Sequence, residues 1–77
     1  MQNEDFHTSD LGLAASLTAS GFPLINVSKG NPKRVIFGFE ETGALVKAVE
    51  HYWSGELKLS AMVLMEHIKM LKSRIYS

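Results

Sequence analysis

The spacing of apolar residues changes along this chain, and each change marks an element. Leu11, Ala14, Ala15 and Leu17 fall at helical intervals. Just before them, Thr8, Ser9 and Asp10 carry side-chain oxygens that accept from the free N–H groups of a first helical turn. Gly21 can take the left-handed conformation that closes a helix, with Phe22 folding back on the last turn. Pro23 then prevents continuation. The pattern predicts a short helix, rich in small residues, that another element can approach closely. The first five or six residues read as a frayed start.

The period then shortens to two. Leu24 to Val27 is apolar and partly β-branched, and Val35, Phe37 and Phe39 alternate onto one face, as a half-buried strand requires. "SKGNP" between them is a turn cluster with Gly30 and Pro32. The reading is a β-hairpin whose loop is longer than two residues. Gly38, on the opposite face, either weakens its strand or admits a close neighbour.

Helical spacing returns in "ETGALVKAVEHYWSG", where Leu45, Val49 and either Tyr52 or Trp53 share a face and Gly55 is a stop signal. "ELKL" reads as an extended connector, and Ser60 as the cap of a third helix. There Ala61, Leu64, Ile68, Leu71 and Ile75 form a stripe of spacings 3, 4, 3 and 4. Met62, Met65 and Met70 fall outside that stripe and suit either an adaptable surface or a helix buried on two sides. The fold class is therefore α+β: one small domain over residues 1–77, with 1–6 flexible, in the order αββαα. An antiparallel β-hairpin packs against three helices. A two-stranded hairpin is not stable alone. The helices must cover its apolar face, and both of its edges remain open to a partner strand.

A chain of 77 residues buries only ~60% of its unfolded surface, so its stability is expected to be marginal. With no cysteine, a disulfide, a thiolate metal site and a cysteine nucleophile are excluded, and oligomerisation is the remaining staple. The three histidines are far apart, and no metal or other cofactor is expected. Nothing approaches the ~18 consecutive apolar residues of a membrane span. The acidic start is unlike a signal peptide. The expected location is the cytoplasm.

The segments "FHTSDLGLAASLTASGFPL", "NPKRVIFGFE", "YWSGELKL" and "LKSRIY" resemble a family of short bacterial, phage and mobile-element proteins classed as a domain of unknown function. The resemblance covers nearly all of the chain. It implies a stand-alone small domain and carries no catalytic residues over. It also implies a phage or mobile-element setting, in which an accessory or anti-defence role is the expectation.

Formal net charge is zero, from eight basic and eight acidic residues. A general nucleic-acid binder carries a basic excess, so anion binding here needs a local patch. Residues 39–66 hold five acids against two bases, so charge is segregated along the chain. Lys29, Lys33 and Arg34 surround Gly30, Asn31 and Pro32. Such a loop either presents cations and backbone N–H groups to a phosphate or is a solvated turn. Lys72 and Arg74 either join that patch or complement the dipole of the last helix. Tyr52 and Trp53 point about 100° apart on a helix. Either both lie in the core or in a helix–helix lid, or one is core and the other is free to stack on a base or anchor a partner.

"TSD" is explained by capping. Glu66 and His67 are helix neighbours that do not face each other, and "SKGNPK" is no phosphate loop. There is no triad and no cofactor motif, so a non-enzymatic module is expected. It would be a homo-oligomer binding an anion, nucleic acid or nucleotide. The rival reading is a protein-interaction module that meets a host protein through the hairpin edge and a Trp and Met surface.

Overall fold

A computed structural model describes residues 5–31 and 34–76 of the chain, with no side-chain placement at Gly30 and Asn31. The elements are β1 (Asp5–Thr8), α1 (Leu11–Ala19), β2 (Leu24–Asn31), β3 (Arg34–Glu40), α2 (Gly43–Ser54) and α3 (Ala61–Ile75). The α+β class holds. The order is βαββαα, because the expected frayed start is a strand from Asp5 onward. The sheet has three antiparallel strands in the order β1-β3-β2, so β3 is central. Phe6 pairs with Phe39 and Thr8 with Phe37. The pairing adds ladder hydrogen bonds and sets Phe6 against the core.

The β2–β3 hairpin differs from expectation at both ends. The strands run further than the turn signals suggest: Asn31 pairs with Arg34, which leaves two residues between the paired ends. β2 carries an irregularity between Leu24 and Asn26 and another between Ser28 and Asn31. Each inserts an extra residue, which raises the local twist and spoils an edge as a template for further pairing. The other hairpin edge is occupied by β1, so the two open edges belong to β1 and the irregular β2.

The three helices cover one face of this sheet. α1 packs most extensively on α3 and next on α2, so it lies in the middle of the helical layer. It is buried on nearly all sides: Leu13, Ala14, Ala15, Ser16 and Leu17 are consecutive buried residues. Small side chains make that possible, because they let α3 and the sheet approach together. Phe37 and Phe39 form the floor, Leu45 and Ala48 come from α2, and Leu71 comes from α3.

The ends of α1 follow its sequence signals. Asp10 is the cap, accepting from the Leu13 N–H at 3.0 Å. The Phe22 N–H donates to the Leu17 carbonyl and the Gly21 N–H to that of Thr18, with Gly21 at φ 98°. This is the left-handed closure that glycine accepts without strain. Thr42 caps α2 by accepting from the Leu45 N–H at 3.1 Å, and Gly55 ends it at φ 78°. Ser60 occupies the cap position of α3 but makes no side-chain capping bond.

The opposite face of the sheet is largely polar around Ile36, and among the described residues no helix covers it. Gly38 lies there between His7 and Asn26. A Cβ on Gly38 would stand 2.5 Å from Asn26 Oδ1 and 3.4 Å from His7 Cδ2. The glycine therefore admits its neighbours' side chains over the central strand.

Candidate nucleic-acid interface

The topology brings several cations to one end and pairs Asp5 with Glu40 at the other, while Asp10, the cap of α1, is an acid on the cationic side. β1 runs so that Thr8 lies beside Phe37, nearer the β2–β3 turn, while Asp5 lies beside Glu40 at the far end. α1 starts near the turn end and leads back to Leu24, which pairs with Phe39 towards the far end. α3 runs the other way. His67 Nδ1 lies 2.9 Å from the hydroxyl of Thr18, near the end of α1. Arg74, seven residues later, reaches the end of β2: Lys29 Nζ donates to its carbonyl oxygen at 3.2 Å.

That hydrogen bond has a local cause. The last carbonyls of a helix have no intrahelical donor, and a cation there complements the negative end of the helix dipole. Lys29 supplies both from a different element. It thereby fixes the end of β2 against the last turn of α3, so Lys29, Lys72 and Arg74 come together around one end of the molecule. Arg34, opposite Asn31, is at the same end but on the uncovered face of the sheet. The cations fan out rather than converge. Lys72 and Arg74 are two positions apart, about 200° around the helix, and so flank the buried Leu71 on opposite sides. Lys33 lies outside the described residues, as does the side chain of Asn31.

Tyr52 and Trp53 divide, one packed inward and one exposed. Tyr52 packs against the core, and its hydroxyl stands 2.8 Å from where a Cβ on Gly12 would be. Gly12 is in the first turn of α1, so the aromatic pair sits towards the end that holds the cations. Burial raises the Tyr52 phenol above its ordinary pKa, and the Asp10 carboxylate nearby adds to the rise. Trp53 is 65% exposed and meets the Tyr52 ring edge-on, with centroids 5.0 Å apart. Tyr52 thus backs the indole from one side and leaves most of it exposed.

The Thr18–His67 pair is absent from the sequence reading, which weighed His67 only against Glu66. The Thr18 hydroxyl also donates to the Ala15 carbonyl at 3.0 Å. A hydroxyl has one proton, so Thr18 donates to one of these two partners, and His67 donates from Nδ1 when that proton goes to Ala15. The pair ties α1 to α3. No sequence signal joins residues so far apart, although the polar Thr18 and His67 both adjoin apolar stripes. Among the described residues no group of histidine, cysteine and carboxylate side chains could hold a metal ion. Among them also, no helix is long and apolar enough to cross a membrane.

Three helices on one face of a β1-β3-β2 sheet, with cations gathered at the hairpin end, define a small α+β domain. The chain belongs to the family described as Domain of unknown function (DUF5659), whose model matches residues 3–77. No curated protein and no solved structure matches it.

Proposed function

We propose that the domain is a small non-enzymatic module that binds nucleic acid through its hairpin end. The observation that carries this reading is the Lys29–Arg74 hydrogen bond. It brings the cations of β2 and of the last turn of α3 to one end, while Asp5 and Glu40 are paired at the other. A molecule with zero net charge can thus hold a local positive field. Cations that fan around an end suit successive phosphates of an extended strand better than one phosphate group. Lys29, Arg34, Lys72 and Arg74 would meet the backbone, and Trp53 would stack on a base.

The test is fluorescence anisotropy with a labelled single-stranded oligonucleotide. Trp53→Ala should cost about 1–3 kcal/mol of binding, the usual worth of one stacked base. Arg34→Ala and Arg74→Ala should each weaken binding irrespective of sequence. Unchanged affinity in all three variants would end this reading.

A further inference from the structure

We propose that the uncovered face of the sheet recognises one unpaired base, adenine, held by His7 and Asn26 above Gly38. This rests on the nucleic-acid reading and extends it: the cations hold the backbone, and the sheet face reads sequence.

Alternation along β3 puts Arg34, Ile36, Gly38 and Glu40 on the face that no described helix covers. Gly38 leaves a gap in the middle of that row, and the strands on either side fill it. His7 pairs with Gly38 from β1 and Asn26 from β2. Their side chains reach one point: the place of a Cβ on Gly38 is 3.4 Å from His7 Cδ2 and 2.5 Å from Asn26 Oδ1. Both residues are exposed. Among the described residues, neither side chain makes a hydrogen bond or an ion pair. Their binding capacity is therefore unspent.

An aromatic ring and an amide side by side are the groups that hold a splayed-out base. The ring stacks on it and the amide bonds its edge. A carboxamide carries a donor and an acceptor together, and adenine presents the complementary pair at N6 and N7. Half-buried Ile36 adds an apolar neighbour two positions along β3.

Charge decides which part of a strand comes here. Arg34 belongs to the hairpin-end cations and also to this face. It stands four positions from Gly38, roughly 13 Å along the strand, so it leads the backbone round the end of the sheet. Asp5 and Glu40 lie just beyond His7 and Gly38 and repel phosphate. A base is neutral, so it can occupy the border that phosphates do not cross.

Fluorescence anisotropy with adenine and thymine homo-oligonucleotides of equal length tests this. The wild-type chain should bind the adenine strand about tenfold tighter, within the range of one bidentate amide contact. Asn26→Ala should abolish that difference and leave the salt slope unchanged, because no phosphate contact is lost. His7→Ala should weaken binding of both strands about tenfold, within the range of one stacked base. Both variants should keep the wild-type circular dichroism spectrum. In nitrogen-15 spectra, the Asn26 side-chain amide should shift on addition of the adenine strand. Equal affinity for the two strands would overturn the base site. So would a preference that survives Asn26→Ala, or an Asn26 amide that does not move. Each of these leaves the hairpin-end cations standing, since Arg34→Ala and Arg74→Ala test them separately. Failure of the wild-type chain to bind either strand would end both readings.

Discussion

Leu71→Ala probes the joint on which the arrangement of the hairpin end depends. Leu71 is fully buried (0% exposed) and is the only buried residue that α3 contributes among the described residues. It lies between the two cationic flanks of the last turn, so its seat against the core fixes where Lys72 and Arg74 stand. Truncating a buried leucine removes its transfer free energy and leaves a cavity, at a cost of about 2–5 kcal/mol. A chain of this length is stable by about 4–12 kcal/mol, so the loss is a large part of the total. In a domain this small, about 3 kcal/mol lowers Tm by roughly 12–24 °C. Thermal and urea unfolding followed by circular dichroism measure both quantities. Met62→Ala is the matched control. Its side chain is 73% exposed, and the change should stay within about 0.5 kcal/mol. If Leu71→Ala costs less than about 1 kcal/mol, α3 is not seated through Leu71 and the geometry of the hairpin end is incorrect.

Two glycines give a contrast of opposite sign. Gly21→Ala forces a side chain to φ 98° and should destabilise by about 1 kcal/mol or more. Gly43→Ala meets nothing within 4 Å at a helical position and should stabilise by up to about 1 kcal/mol; urea melts of both check this. Tyr52 should ionise above the ordinary phenol range in a phenolate absorbance titration, and Asp10→Asn should lower its midpoint by removing the carboxylate. Because the folded pKa is raised, the unfolded chain ionises first. The stability held by the neutral phenol is complete below about 10. It is lost as pH rises through the higher folded value, and an alkaline unfolding series should show that loss.

The helices were legible because their signals are local. Asp10, Gly21 and Gly55 act within one turn of chain, and the stripe from Leu64 to Ile75 is periodic in sequence. β1 was not legible. "DFHT" is four residues with a single large apolar member, and it becomes a strand only because Phe6 meets Phe39, more than thirty positions away. "SKGN" read as loop from its composition, yet it continues β2, because the irregularity after Ser28 absorbs the residue that regular pairing would not. The candidate site was legible in part. The segregation of charge follows from the sequence; that Tyr52 packs in while Trp53 stays exposed does not, because the sequence leaves both free to be core. The meeting of Lys29 with Arg74 depends on the direction of α3, which no local signal sets. The fan-out of Lys72 and Arg74 was readable from their two-residue spacing.

The salt dependence of oligonucleotide binding tests the role of the hairpin end most directly. Each phosphate neutralised on a single strand contributes about −0.7 to the slope of log K against log salt. The four cations Lys29, Arg34, Lys72 and Arg74 should therefore give a slope near −3. Arg74→Ala should reduce its magnitude by about 0.7. A slope near zero, or no binding at low salt, would contradict the assignment of this end to nucleic acid.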